Sequence, residues 1–341
     1  MGTTQQPISG DLGAAGLPVA QGVNLLRTAL ILLAFAVAAA VPLAFASSYQ
    51  LFQLTLAGTY AIAILGLNIV TGFNGQISLG HGAFYAIGAY TTAILMTHFD
   101  MPYWATLPIA AVICGVLGFG VGFPALRLGG LYLALTTFSL AVAVPQLLKY
   151  KGVEDWTGGV QGTFLVKPDA PEFTGLDNDQ YMYLFVLVIA ALLFLMASNL
   201  LHSRIGRAMR AIRDHPTAAE AMGMDIARIK TRTFALSAAI TGLAGALSAI
   251  AVEFVAPDSF SVELSINLFV GMVVGGVGSI IGPIFGGLFV VFLPNLSESV
   301  ARAAPGVIYG VILILFLYLL PQGFAGFPRR IGALLRQRPN N

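Results

Sequence analysis

The stretch His202 to Arg232, HSRIGRAMRAIRDHPTAAEAMGMDIARIKTR, is a polar island between long apolar runs. It holds Arg204, Arg207, Arg210, Arg213, Arg228, Lys230 and Arg232, seven of the chain's 17 basic residues, against only Asp214, Glu220 and Asp225. Basic residues near the ends of membrane spans mark the cytoplasmic side, because carrying them across the potential and away from an anionic leaflet is disfavoured. The island therefore reads as a cytoplasmic loop that fixes the topology around it. Within it Pro216 can start a short Ala-rich helix, TAAEAMG, that Gly223 can end, so the loop presents a compact helix that a soluble partner could grip.

Working outward, the whole chain of 341 residues is 57% apolar and only 9% charged, with a mean hydropathy of +0.85. Soluble domains carry roughly a quarter charged residues, so this is a polytopic membrane protein with the lipid bilayer as its solvent. The net charge of +2 sits in a few loops, with no basic face interleaved with aromatics and hence no nucleic-acid partner. The single cysteine, Cys114, lies in an apolar run and reads as a small packing residue, which excludes a disulfide framework or cysteine metal cluster. Residues 1–24 are Gly/Ala/Gln-rich and read as a flexible tail. Ala44-Phe45-Ala46 resembles a cleavage site, but the apolar run after Arg27 is long enough for a full span and no basic region precedes it.

A spanning helix needs about 20 mostly apolar residues. Runs that meet or approach this length lie at 27–46, 50–71, 80–97, 104–126, 130–148, 181–201, 232–253, 262–276, 279–295 and 305–321. The basic island and the tail at 328–341, with Arg329, Arg330, Arg336 and Arg338, both belong inside, so an even number of crossings separates them. Residues 262–295 as one helix would be about 50 Å long against a core of about 30 Å. Gly275-Gly276-Val277-Gly278-Ser279 interrupts them, so two spans meeting at a bend are expected. Arg27 and Arg127 then fall inside and the acidic loop at 149–180 outside. The expectation is about ten transmembrane helices with both termini inside, the runs 80–97, 262–276 and 279–295 being short enough to be re-entrant or broken. Small residues four apart, such as Gly118/Gly122, Gly242/Ala246 and Gly282/Gly286, allow close helix approach in lipid.

Much chemistry is excluded. None of the four lysines follows a glycine, so no phosphate-binding P-loop exists, and any ATP-Mg is bound by another subunit. The four histidines lack metal spacing and there is no nucleophile elbow, so no enzyme active site or cofactor site is expected. All 15 acidic residues lie in loops, tails or span ends, whereas a proton-coupled carrier places its relay at membrane depth. His81, at a span start, reads as a cytoplasmic-end or cap histidine before it reads as a relay. A stand-alone secondary transporter using hydroxyls and carbonyls at broken helices remains an alternative.

Two further segments carry the reading. Between Gly66 and Leu95, Asn68, Thr71, Asn74, Gln76, Ser78 and His81 crowd around Gly72, Gly75, Gly80 and Gly82. Glycines let the backbone leave the helix, and the amides and hydroxyls either cap freed backbone groups or line a translocation path. In the acidic loop, Lys149, Lys151, Glu154, Asp155 and Trp156 form a mixed-charge surface that could receive a soluble partner, with Trp156 an interface anchor or part of the membrane aromatic belt.

The Gly66–Leu95 segment, GGLYLALTTFSL at 129–140, Thr157-Gly158-Gly159, the 203–247 stretch and GGVGSIIGPIFGG at 275–287 together resemble the LivM-type permease of branched-chain amino acid ABC importers. The resemblance implies an all-α, type II-like importer permease over 25–327. It implies a second, LivH-type permease, two cytoplasmic ATPases of the LivG and LivF type that bind ATP-Mg, and a periplasmic substrate-binding protein, in a bacterial or archaeal inner membrane. Ala218-Ala219-Glu220-Ala221-Met222-Gly223 resembles the coupling loop of such permeases, with the Glu after rather than before the Ala pair. Arg210, Arg213, Asp214, Glu220, Met222, Gly223 and Arg228 are the implied ATPase contacts, weighed against a merely solvated basic loop. The implied cargo is leucine, isoleucine and valine; relatives importing urea, short amides or small organic acids fit the same residues.

Overall fold

The computed structural model describes residues 25–125, 130–172, 175–300, 305–319 and 323–326. The expected terminal tails and Arg127 lie outside the described residues. The first helix, α1 (Leu25–Phe45), stands in a unit of its own that ends at Ala44.

The second unit begins at α2 (Ser48–Asn68), which starts on a capping box: Ser47 Oγ accepts from Gln50 N–H at 3.4 Å and Gln50 Oε1 accepts from Ser47 N–H at 3.0 Å. Then follow α3 (His81–Phe99), α4 (Tyr103–Ala125), α5 (Leu131–Leu148), the one-turn α6 (Glu154–Thr157) and α7 (Asn178–His202). The chain continues with α8 (Arg204–Asp214), α9 (Pro216–Ala221), α10 (Ile226–Val252), α11 (Val262–Gly275), α12 (Gly282–Val300) and α13 (Pro305–Leu319).

Helices α2, α3 and α10 form the interior. From Ala61 to Val70 every residue of the α2 segment is buried, which its all-round apolar surface requires. Helix α10 packs on α4, α3 and α2, and α2 packs on α12, α7 and α11. The span segments of α2 and α10 are 78% and 67% buried, those of α4 and α7 only 33% and 22%, so the latter two turn most of their apolar surface outward. Cys114 packs as expected, buried against Gly242 on α10 with its thiol 3.4 Å from the Phe84 carbonyl.

Among the described residues a helix overlaps each of the ten runs, and four segments, Ser48–Phe73, Tyr103–Phe123, Asn178–His202 and Ile226–Val252, are long and apolar enough to cross a membrane. The 262–295 stretch is two helices, as the length argument required. Helix α11 has 14 residues, about 21 Å at about 1.5 Å per residue. It starts beside the Pro257–Phe260 turn, whose Asp258 pairs with Lys149 of the acidic loop, and ends at the bend that Asn68 holds. It therefore runs from the acidic end of the molecule to the basic end. Glycines let it lie flat on α12: a Cβ on Gly282 would sit 2.8 Å from the Gly275 carbonyl oxygen, and one on Gly271 3.2 Å from that of Gly286.

Two sequence expectations are corrected. The 202–232 island is helical through most of its length: α8 was missed, and α10 starts at Ile226, not 232, so Arg228, Lys230 and Arg232 are helical residues. Asp225 caps that start, accepting from Arg228 N–H at 2.9 Å. The fold is all-α as expected apart from a two-residue antiparallel pairing of Thr163–Phe164 (β1) with Phe254–Val255 (β2) at the acidic end.

Candidate functional site

The polar residues of the 68–81 segment gather where two helices break. After α2 the backbone widens into a π-turn over Ile69–Phe73 and then a bend to Gly80. Such a turn frees carbonyls from the regular ladder and is frequent at functional sites. Opposite lies the second break, between α11 and α12, where Gly276 and Gly278 take φ of 116° and 74°. Asn68 joins the two: its Nδ2 donates to the Ser279 carbonyl at 2.6 Å and its Oδ1 accepts from Gly278 N–H at 2.8 Å. The approach is so close that a Cβ on Gly72 would lie 2.6 Å from Gly278 N, so only glycine fits there.

The remaining members act on the same frame. Thr71 Oγ1 donates to the Gln76 carbonyl at 2.9 Å, and Gln76 Nε2 donates to the Lys230 carbonyl on α10 at 3.3 Å. Ser78 Oγ lies 2.9 Å from His81 Nδ1, His81 Nε2 lies 2.6 Å from Ser237 Oγ, and Ser237 donates to the Gly66 carbonyl at 2.5 Å. One donor order satisfies the whole chain: Ser78 O–H to Nδ1, Nε2–H to Ser237, Ser237 O–H to Gly66, with a neutral imidazole. His81 is the first residue of α3, one place after its N-cap Gly80, and its ring bonds side chains rather than capping the helix, with no carboxylate joining it among the described residues. Side chains from other helices complete the cap, Thr137 Oγ1 accepting from Leu79 N–H and Ser265 Oγ from Gly82 N–H, both at 3.0 Å.

Asn74 stands apart. It is 1% exposed, yet neither its Nδ2 nor its Oδ1 has a hydrogen-bond partner, and Gln76 Oε1 is likewise unpaired. Buried unpaired amides are costly and call for an explanation.

The coupling candidates divide into two groups. Helix α8 is amphipathic: Gly206, Met209 and Ile212 are buried, and Met209 packs with Phe73 and Leu201, flanked by Ile229 and Ile280. Arg213 Nη1 donates to the Gly72 carbonyl of the π-turn at 2.8 Å while its Nε pairs with Asp214 at 2.9 Å. Arg210 donates to the Leu201 carbonyl at 3.0 Å and the Gly206 carbonyl at 3.3 Å, satisfying the end of α7. Arg210, Arg213 and Asp214 thus hold the chain's own groups. Glu220 and Met222 face outward, Met222 82% exposed, and Gly223 ends α9 with φ of 82°, a conformation L side chains resist. Arg228 is exposed and pairs with Asp225 at 3.3 Å.

At the acidic end Lys149 is ion-paired to Asp258, and Lys167 to Asp179 at 2.6 Å and Glu253 at 3.5 Å. Lys151, Glu154 and Asp155 are exposed. Trp156, half-exposed, packs on His98 and Phe99 with ring centroids 5.1 and 5.9 Å away. Sequence reading missed Ser237, Thr137, Ser265 and Ser279. Their only signal is a small hydroxyl in or beside an apolar run, which many packing residues share.

A multi-pass helical membrane protein with an amphipathic, outward-facing helical hairpin seated on a broken helix is the class that this fold and site define. The family model described as the permease component of the branched-chain amino acid transport system matches residues 49–320, and the chain belongs to that family. The high-affinity branched-chain amino acid transport system permease protein LivM of Escherichia coli K12 is 37% identical over 230 residues, 61% of this chain and 54% of the relative. Permease protein LivH of the same strain is 27% identical over 226 residues, 58% of this chain and 69% of the relative. BraD of Pseudomonas aeruginosa is 27% identical over 213 residues, 57% of this chain and 67% of the relative. The chain thus spans about half the length, 54%, of the LivM proteins of Escherichia coli and Salmonella typhimurium. No solved structure matches the chain.

Proposed function

We propose that this chain is a permease subunit of an ATP-driven, binding-protein-dependent importer of leucine, isoleucine and valine in a bacterial or archaeal inner membrane. The basic end lies in the cytoplasm and the acidic end outside, with ten crossings and both termini inside, in the type II-like arrangement. A LivH-type permease completes the pathway, two ATPases bind ATP-Mg beneath it, and the binding protein docks on the surface around Lys151, Glu154, Asp155 and Trp156.

One observation carries this reading: α8 is bound to the π-turn of α2 through Arg213 and Met209, while α9 turns Glu220 and Met222 outward. A partner that grips α9 and moves it would pull α8 and, with it, the carbonyl of Gly72 beside the bend that Asn68 ties to α12. A ligand shifts such an equilibrium only by its differential binding to the two states, and ATP on the partner subunits supplies that difference. The passage needs little buried charge for a zwitterion with an apolar side chain, and the unpaired Asn74 amide is a polar contact available to it.

The test is uptake of radiolabelled leucine into vesicles holding this chain with the partner permease, ATPases and binding protein. Uptake is expected to require every component and to fail in Glu220→Arg and Gly223→Trp, with the permease pair still in the membrane. Gradient-driven uptake by this chain alone, indifferent to both substitutions, would identify a secondary transporter instead.

A further inference from the structure

Away from the bend, a shallow channel lies between the outward faces of α4 and α10 as two adjoining depressions that share Phe119. At the basic end it is a cavity of about 490 Å³ bordered by Phe119, Phe123, Asp225, Arg228, Thr231 and Arg232. Towards the middle of the helices it continues as a groove of about 510 Å³ bordered by Gly115, Val116, Phe119, Ala235 and Ala239. Phe119 borders both, so the two are successive parts of one surface.

The sequence accounts for the shape. On α10, Arg228, Arg232, Ala235 and Ala239 recur at helical spacing and form one stripe, basic at one end and small along the rest. On α4 the facing stripe is Val112, Gly115, Val116, Phe119 and Phe123. Gly115 and the two alanines make the floor: a Cβ on Gly115 would touch Ala239 Cβ at 3.4 Å. Val112, Val116, Phe119 and Phe123 rise beside it, each between 49% and 65% exposed.

The charge is one-sided. Asp225 is already committed, accepting from Arg228 N–H at 2.9 Å and pairing with Arg228 Nε at 3.3 Å. Arg232 is exposed and has no acidic partner among the described residues. The cavity therefore carries a net positive charge directly below an apolar groove, with the Thr231–Arg232 turn at the boundary.

We propose that this channel is a binding site for one anionic phospholipid, its phosphate held by Arg232 and Arg228 and one acyl chain lying in the groove over Gly115, Ala235 and Ala239. Charge complementarity selects the headgroup, since a guanidinium pair binds phosphate oxygens in a fork geometry that a net-neutral headgroup offsets with its own cation. The apolar continuation selects a lipid over a free anion. Because α10 runs from this cavity to Ser237 and the His81 chain, an occupied site would brace the helix that the bend leans on.

The site is tested on the full-length purified chain in detergent, without ATPases or transport, so its failure and that of the importer reading are distinguishable. Native mass spectrometry would measure retention of phosphatidylglycerol, of phosphatidylcholine with the same acyl chains, and of glycerol phosphate. One phosphatidylglycerol should be retained about fivefold more tightly than phosphatidylcholine, as the one net positive charge left once Arg228 pairs with Asp225 implies. Arg228→Gln with Arg232→Gln should remove that preference, and the double lysine variant should keep most of it. Gly115→Leu, whose Cβ makes ordinary contact, should weaken both lipids by filling the groove. Equal retention of the two lipids, indifference to the glutamine pair, or glycerol phosphate binding as tightly as the lipid would each overturn the proposal. Arg228 and Arg232 are exposed and Gly115 is partly buried, and an unchanged unfolding temperature would confirm that the variants are folded.

Discussion

At the basic end, Asn68, His81, Gln76 and Arg213 reach partners 141 to 211 residues away in sequence, and every one of those bonds is buried or half-buried. At the acidic end, Lys149 and Lys167 also tie loops together, but their partners are carboxylates at the surface, Asp258 being 71% exposed. The geometric difference is one of acceptor. Inner contacts are made mostly to backbone carbonyls and amides that broken helices have released, so each removed side chain orphans a buried group. Outer contacts are made to carboxylates that water can serve equally well. The basic end should therefore be stiff and intolerant, the acidic end forgiving, and substitutions at matched positions can break or sharpen that contrast.

The largest effect is expected at Asn68. Asn68→Ala removes two hydrogen bonds and leaves Gly278 N–H and Ser279 C=O unpaired between the two helix breaks. An orphaned buried group costs about 1–3 kcal/mol, so a loss of about 3 kcal/mol is expected in denaturation of the purified chain. A loss under about 1 kcal/mol would mean that water already serves the bend, and the contrast between the ends would fail.

His81 comes next. His81→Leu interrupts the Ser78–His81–Ser237 chain but leaves Ser237 its bond to Gly66, so about 2 kcal/mol is expected, near the middle of the range for one buried unpaired group. A structural histidine also makes a kinetic prediction. In folded His81→Gln transporters the pH dependence of leucine uptake should match the wild type; a profile that loses a limb would make His81 a proton carrier.

These cases show what the sequence could reveal. The helices were legible because apolar runs of about 20 residues have few alternatives in a membrane, and the 68–81 bend was legible because six polar residues among glycines have no place inside a span. That the polar residues serve as clamps was not legible: the partner of Asn68 lies 211 residues away, and no local pattern encodes it. Helix α8 was hidden by its own charge. Arginines at 204, 207, 210 and 213 gave the segment a loop's hydropathy, while Ile205, Met209 and Ile212 carried the helical period beneath. The start of α10 was misplaced for the same reason, although Asp225 before an unbroken helical segment was a readable cap. Arg210 and Arg213 were named as ATPase contacts through the resemblance to a coupling loop; their carbonyl partners, which exist only once α7 ends and α2 breaks beside them, have no signature in the local sequence.

Arg213 tests whether the stiffness of the basic end is used. Its bond to the Gly72 carbonyl is charge-assisted but half-exposed, so Arg213→Gln should cost only about 1 kcal/mol in stability, below the range for a buried charged bond. In the assembled transporter the expected result is a split: ATP hydrolysis retained while leucine uptake falls about tenfold, equivalent to about 1.4 kcal/mol of lost coupling. Arg213→Lys should recover part of the uptake, since a lysine can reach a single carbonyl. Hydrolysis and uptake falling together would instead place Arg213 in the ATPase contact itself.

The smallest effect is expected at Lys149. Its ion pair with Asp258 joins the end of α5 to the turn before α11, topologically as strategic a link as Asn68 makes. Asp258 is largely in water, however, and exposed pairs are worth about 0–1 kcal/mol because side-chain entropy and screening offset the attraction. Lys149→Ala should therefore change stability by less than about 0.5 kcal/mol, and the change should vanish in high salt. Any larger role of Lys149 has to lie in a contact with another molecule. Lys149→Glu distinguishes the two: it should leave the unfolding curve close to that of Lys149→Ala, and a much weaker uptake in that variant, restored by raising the binding-protein concentration, would locate the docking surface at this end. A salt-insensitive loss of several kcal/mol in Lys149→Ala would mean instead that the outer loops are clamped as firmly as the inner bend.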